Sequence, residues 1–332
     1  MDIHELAIDN LVSTRDANSI GLGPYEINCL CRQGILRRII RGWYAVCSPG
    51  EPLPPWEGTT PWGRDLNRHL LLIGALLRSF EGRVIASHQS GLVLAGARLY
   101  GVDLALAHVS RVANTHSRHR KLATIHPRIG GDPVIAPSGL AMVSPAIAAI
   151  QVGLIEHAGR LASADPFLVA ADGLLHDGII TLTQLDDAME LFTAHPGIGA
   201  IREARPYVSA LHESVPETLL AQTLRVAKYD VEPQFVVPGH AARSDFRVKD
   251  EPILIEFDGL EKYRGTGEAT PAAVQAALGQ EKAREDALRL DGWIFVRVQW
   301  PEVRSVSAIR TKVEKARLLA RAMRATRRSR PA

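Results

Sequence analysis

Residues 243–258, RSDFRVKDEPILIEFD, carry acids at a spacing that an antiparallel hairpin would gather. With the turn between Asp250 and Glu251, the numbers of opposed residues sum to 501. Phe246 then faces Ile255 and Val248 faces Ile253 on one side, while Asp245 faces Glu256 and Arg243 faces Asp258 on the other. A register slip of one residue would turn Phe246 and Val248 onto the acidic face, so the apolar pattern itself favours this pairing. Directly opposed Cβ atoms stand about 4.5–5.5 Å apart, and like charges at that range destabilise a sheet unless a cation lies between them. Two cations could serve. A metal would take Asp245, Glu256 and Asp258 as oxygen ligands, the donor set that suits Mg²⁺ or Mn²⁺. Alternatively, Arg243 and Arg247 would close a surface salt cluster with no metal.

If the metal reading holds, the chemistry is phosphodiester hydrolysis, because a divalent ion polarises the phosphoryl oxygen, orients hydroxide and steadies the leaving alkoxide. Lys262, just past Gly259, is the nearest side chain to add positive charge to the transition state. Glu217 is a further candidate acid, but it stands in Ser214-Val-Pro-Glu217, the S-x-x-E spacing of a capping box, and capping and catalysis both remain open for it.

The elements that must hold these acids read helix (PETLLAQTLRVAK), strand (PQFVVPG), strand (RSDFRV), strand (PILIEFDG), helix (QEKAREDALRLDG), strand (WIFVRVQW), an αβββαβ order over 213–303. The motif Glu256-Phe-Asp258-Gly259-Leu-Glu-Lys262, with Asp245 before it and LRLDGWIFVR after it, resembles the Vsr-like branch of the PD-(D/E)XK nuclease superfamily. The resemblance implies a restriction-endonuclease-like domain that cuts DNA with a divalent metal. Asp258 stands where the superfamily name has Lys, so Lys262 takes that role or the domain is inactive.

Upstream, 1–47 reads as helix (ELAIDNLV), short helix (TRDANSIG), helix (PYEINCLCRQG) and a two-stranded hairpin broken at Gly42, which is the order of a winged helix-turn-helix. Its closing GILRRIIRGWY is similar to the wing of the AbiEi-type antitoxin domain, L-x-x-x-x-R-G-x-Y. That resemblance implies a double-stranded DNA partner and a cognate toxin. Asn28 and Arg32 on the third helix are the candidate base readers, and Arg37, Arg38 and Arg41 on the wing are the candidate phosphate contacts. The alternative to an endonuclease is therefore an AbiEi-like antitoxin or transcriptional regulator whose nuclease fold is catalytically silent.

Residues 48–64 hold a run of Pro and Gly and read as a linker; 65–212 alternates apolar helices with short strand-like runs, a mixed α/β middle domain; and 304–332 reads as a basic helix and tail. The overall class is α/β, shading to α+β. Between Val109 and Arg128 there are five Lys or Arg, three His (His116, His119, His126) and no acid, which reads as a solvated or phosphate-contacting loop; a His metal site there is disfavoured for want of a carboxylate or Cys. SHQSG at 87–91 reads as a helix start capped by Ser87 or Ser90.

Charge is segregated. Residues 304–332 hold ten Lys or Arg against one acid, Glu314, while the first 303 hold 29 basic against 35 acidic residues, a net of −6. Cys29, Cys31 and Cys47 match no zinc spacing and, with an acidic start lacking an apolar signal core, predict a reduced cytoplasmic protein. The uncharged stretch 133–155 is long enough to span a bilayer, but Ser144-Pro145 inside it predicts a capped, buried helix and no membrane association.

Overall fold

In a computed structural model, residues 2–113, 115–155, 164–258 and 282–328 are described. The chain divides into two units, Met1–Val208 and Ser209–Ala332.

The first unit opens with α1 (Ile3–Leu6), β1 (Leu11–Ser13), α2 (Thr14–Ser19), α3 (Pro24–Arg32), β2 (Leu36–Ile40) and β3 (Trp43–Val46). The run expected as one helix, ELAIDNLV, is broken. Asp9 and Asn10 both take left-handed φ (51° and 59°), a conformation these two residues tolerate better than most, and the turn they make sends Leu11–Ser13 into a strand. That strand pairs antiparallel with β3 in a three-stranded sheet of order β1-β3-β2. Ser13 and Asp16 close a reciprocal capping box that starts α2, and Pro24 starts α3. Ile3, Val12, Ala17, Ile27, Leu36 and Val46 form the small core. This is a winged-helix arrangement with an added third strand.

The Pro-rich segment does not separate two bodies. Trp56 is buried against Leu11, Ala45, Leu71 and Ala75, and its carbonyl accepts from Arg68 Nε at 2.9 Å. Thr60 caps α4 (Pro61–Ser79), whose apolar face packs on the winged-helix sheet on one side and the middle region on the other. An apolar aromatic inside the proline-rich run is what fastens it down.

Next come β4 (Val84–Ala86), α5 (His88–Leu94), β5 (Ala107–Arg111), β6 (Arg118–His119), β7 (Ala123–His126), β8 (Val134–Ile135) and β9 (Ala141–Met142), a six-stranded mixed sheet of order β6-β7-β5-β4-β9-β8. The segment read as a basic loop thus contains two of its strands. Then follow α6 (Pro145–Gly153), α7 (Asp165–His176), α8 (Leu182–Glu190) and α9 (Ile198–Ala204), packed around Ile150, Phe167, Leu185 and Ile201. As expected from Ser144-Pro145, α6 is a capped, buried helix, with Ile147 N–H donating to Ser144 Oγ at 3.3 Å. Among the described residues no helix is long and apolar enough to cross a membrane.

The second unit runs α10 (Val215–Val226), β10 (Val231–Val236), β11 (Arg243–Val248), β12 (Ile253–Phe257), a helix α11 over 282–290, β13 (Ile294–Val298) and α12 (Val306–Arg328), the anticipated αβββαβ order followed by a basic helix. The sheet order is β10-β11-β12-β13. β12 and β13 are parallel, and the connection between them carries α11. β11 and β12 pair in the expected register, Phe246 with Ile255 and Arg247 with Leu254. Phe246, Val248, Ile253 and Ile255 are buried on one face, and Leu254 is buried on the other against Val237 and Leu288. Leu254 shows why β12 is nearly continuous in apolar residues: a strand next to a parallel neighbour is covered on both faces.

Candidate nucleic-acid interface

α3 is amphipathic, with Ile27 inward and Leu30 and Cys31 partly buried beside it. Tyr25, Asn28 and Arg32 recur at i, i+3 and i+7, which lines them along the opposite face, and all three are exposed, Tyr25 at 71 %. An α-helix fits the roughly 12 Å width of the B-DNA major groove, so this face presents an aromatic ring, a carboxamide and a guanidinium at the height of base edges. The Arg32 Nη2 donates to Cys29 Sγ at 3.3 Å, which holds the side chain along its helix.

The wing turns at Arg41-Gly42, where Gly42 takes φ 82° and its carbonyl accepts from Thr14 N–H at 2.8 Å. Arg41 and Arg38 are exposed. Arg38 lies beside α3, where its charge opposes the upward push that burial gives the Cys31 thiol. Arg37 is placed differently. One residue along the strand it faces the other way, its Nη1 3.5 Å from Glu57 Oε1 and its guanidinium 5.8 Å over the Trp56 ring. Arg68 reaches the same Glu57 oxygen at 2.8 Å. Of the five residues expected at the interface, Asn28, Arg32, Arg38 and Arg41 are exposed on α3 and the wing, whereas Arg37 is spent holding the proline-rich segment.

In the second unit Asp245 and Glu256 do stand on adjacent strands, but their charges are already engaged. Asp245 Oδ2 accepts from Phe257 N–H at 2.7 Å. Glu256, with its side chain 9 % exposed, meets Arg284 Nη2 at 3.3 Å and Arg297 Nη2 at 3.2 Å. The neutralising guanidiniums are therefore those of α11 and β13, not the anticipated Arg243 and Arg247. Arg243 instead pairs with Glu213 at 2.8 Å, and Arg247 stacks 4.7 Å over Phe235 while reaching Glu232 at 3.3 Å. Asp258 donates its backbone N–H to Val298 O at 2.8 Å.

Glu217 is a capping residue. Its Oε1 accepts from Ser214 Oγ at 2.6 Å, and its Oε2 accepts from Glu213 N–H at 2.9 Å and Gln234 Nε2 at 2.8 Å. Lys262 lies outside the described residues. Among the described residues Asp245, Glu256 and Asp258 do not form a group of three ligands close enough to share an ion. As placed, Glu256 meets two guanidiniums and Asp245 a backbone amide, so a Mg²⁺ or Mn²⁺ ion there would have to displace those partners.

Where three ligands do converge, among the described residues, is in the first unit, at His88, His108 and His126. Sequence reasoning put His88 at a helix start and His108 in a strand-like run, gave neither any chemistry, and disfavoured a histidine metal site around His126. Burial, then the charges of His126, His108 and His195, push His88 well below the ordinary imidazole value, and burial first, then His119 and His195, brings His126 to about 4.

Residues 1–46 match the family model described as "Transcriptional regulator, AbiEi antitoxin". No curated protein matches the chain. The N-terminal 46 residues, which adopt a winged-helix arrangement, are thus similar in sequence to the regulator domain of AbiEi antitoxins.

Proposed function

We propose that the chain is a DNA-binding transcriptional regulator of antitoxin type, with α3 in the major groove of double-stranded DNA and the wing arginines on the flanking phosphates. The observation that carries this is the exposed Tyr25-Asn28-Arg32 face of α3, inside a segment that matches an antitoxin regulator model. Asn28 and Arg32 offer the bidentate chemistry that reads adenine and guanine, while Arg38 and Arg41 add position without sequence. The test is fluorescence anisotropy with the DNA upstream of the protein's own gene against scrambled DNA. The expected result is preference for the former and a logarithmic salt slope of about −0.9 per phosphate contacted. Equal, salt-insensitive binding to both would overturn it. The product of the neighbouring gene is the natural candidate for a toxin partner, and its co-purification with this chain checks that part separately.

The second reading is a metal-dependent endonuclease, favoured by the αβββαβ order and by the adjacency of Asp245 and Glu256 in the β11–β12 register. For cleavage with Mg²⁺ or Mn²⁺ the Arg284 and Arg297 pairs would first have to release Glu256. Supercoiled plasmid nicked by the wild type with either ion, but not by Asp245→Ala or Glu256→Ala, would establish this reading. Equal behaviour of all three proteins would leave the second unit a scaffold.

A further inference from the structure

The geometry points to a metal-binding site in the first unit: His88, His108 and His126 hold one zinc-class divalent ion, with a coordination position left open to the cleft beside them.

The convergence is built by the sheet. β5 and β7 are parallel neighbours with Ala107 opposite Ala123, His108 opposite Thr124, Val109 opposite Ile125 and Ser110 opposite His126. Strand alternation then puts Ala107, Val109, Ala123 and Ile125 on one face, where they are buried in apolar clusters, and His108, Ser110, Thr124 and His126 together on the other. β4, on the far side of β5, ends at Ala86, and the chain delivers His88 to the same place at the start of α5.

One ligand atom from each of the three rings lies within 4.8 Å of those of the other two. His88 stacks on His126 with ring centroids 3.9 Å apart, and His108 Nδ1 stands 2.8 Å from His126 Nε2. That last distance is a hydrogen bond, with one ring as donor. Two nitrogens bound tetrahedrally to an ion at 2.0–2.1 Å stand about 3.3 Å apart, so a small opening of the pair makes room, and the proton between them moves to the far nitrogen of its ring or to solvent.

Two further observations set this apart from a satisfied histidine core. The first is support outside the ligands. His88 adopts φ 53°, a left-handed conformation costly for a residue with a Cβ, and it is kept there by Gln151 Oε1, which accepts its N–H at 3.0 Å, while Ser87 Oγ lies 3.0 Å from its Nδ1. Ser90, expected only as a cap, instead accepts the His108 N–H at 2.8 Å and meets the buried His69 Nε2 at 3.0 Å. Such hydrogen bonds behind the ligands fix ring position in metal sites.

The second is unmet polar capacity. The cleft is about 920 Å³, and His88, His108, His126, Gln89 and Gln151 line it. Gln89 Oε1 and Gln151 Nε2, on side chains each 1 % exposed, have no hydrogen-bond partner among the described residues. Both atoms are enclosed, and a buried acceptor and donor left without partners beside three imidazoles are what an interior tolerates where an ion or an ordered water completes it. Imidazole donors select the zinc, copper and nickel group over magnesium or calcium, which separates this site from the acidic hairpin in metal preference as well as in place.

The test uses the full chain purified without a histidine tag, stripped with chelator, and titrated with Zn²⁺ alone and Co²⁺ alone. One ion per chain is expected, with Co²⁺ giving the ligand-field bands of a nitrogen-ligated, four- or five-coordinate site and no sulfur-to-metal charge transfer. His88→Ala and His126→Gln should each weaken binding by more than the roughly 10–100-fold that loss of a supporting residue costs. Circular dichroism of the metal-free variants separates ligand loss from misfolding, and the Co²⁺ spectrum of the wild type stands even if both variants fail to fold. No retained ion, a thiolate spectrum arising from Cys29, Cys31 or Cys47, or retention unchanged in folded variants would overturn the site.

Discussion

His69 is fully buried on α4, with Nδ1 2.7 Å from Leu104 O and Nε2 3.0 Å from Ser90 Oγ. Burial lowers its pKa from 6.5 to about 4, against smaller opposing contributions from Leu104 and Asp103. Between those values the unfolded chain binds a proton that the folded chain refuses, so stability must rise with pH across the window. Its contribution is intact above pH 6.5 and is lost progressively as pH falls to about 4, on the order of 3 kcal/mol in all. A urea midpoint that falls from neutral pH to about pH 5, and falls less in His69→Gln, is the expected outcome; a flat profile in the wild type would count against it. Glu256 makes a different prediction at the same scale. Its side chain is nearly buried, but Arg284 and Arg297 are about one-third exposed, so water takes up part of the loss when the pair is broken. Glu256→Gln should destabilise the chain by about 1–3 kcal/mol, read from urea unfolding of the second unit's signal. On the wing, Arg38→Ala should lower the magnitude of the logarithmic salt slope of DNA binding by about 1, whereas Arg37→Ala, which removes a contact to Glu57, should leave that slope unchanged.

At the scale of elements, α6 meets α7 at Gly153. A Cβ there would stand 2.5 Å from Ile201 Cδ1 and 2.7 Å from Phe167 Cβ, and both neighbours are fully buried. Gly153 is the last residue of α6, where alanine gains little over glycine, and overpacking a filled core costs about 1–3 kcal/mol, so Gly153→Ala should lower the urea midpoint. The same scale decides what could be read in advance. The β11–β12 register was legible because Phe246, Val248, Ile253 and Ile255 leave a single pairing that buries all four. The start of α6 was legible in Ser144-Pro145. β1 was not, since Asp9 and Asn10 interrupt an apolar run without a Gly or Pro to mark the turn. The fixing of the proline-rich segment depended on one tryptophan, Trp56, whose partners lie in three other elements, β1, β3 and α4. The histidine cluster was hidden for a related reason. LAHVSRV and KLATIHP each show alternation, but that His108 and His126 share a face follows only from β5 and β7 being parallel neighbours, which depends on the sheet order. Acids opposed within one hairpin could be paired on paper, whereas their partners Arg284 and Arg297 come from a later helix and a crossover strand.

For the molecule as a whole, charge is the property that no single element carries. Residues 304–332 hold ten basic side chains against one acid, whereas the first 303 residues carry a net of −6. α12 seats Ile309, Val313, Ala316 and Ala320 as a buried stripe, and Arg317 clasps Glu251 through Nε at 3.0 Å and Nη2 at 2.6 Å, so the front of the basic segment is folded onto its own unit. The remainder, 325–332, brings Arg327, Arg328 and Arg330. Such a run attracts any polyanion, and its effect on DNA binding should be electrostatic and indifferent to sequence. Deleting 325–332 should therefore weaken binding to operator and scrambled DNA by the same factor and lower the magnitude of the logarithmic salt slope by up to about 3, the most that three phosphate contacts can contribute. The ratio between the two DNAs should stay where α3 sets it, because base discrimination resides in Asn28 and Arg32 under the proposed reading. Competition anisotropy at two ionic strengths makes the distinction. If the ratio collapses with the deletion while the winged helix remains folded, sequence recognition has to be moved from the front of the chain to its end.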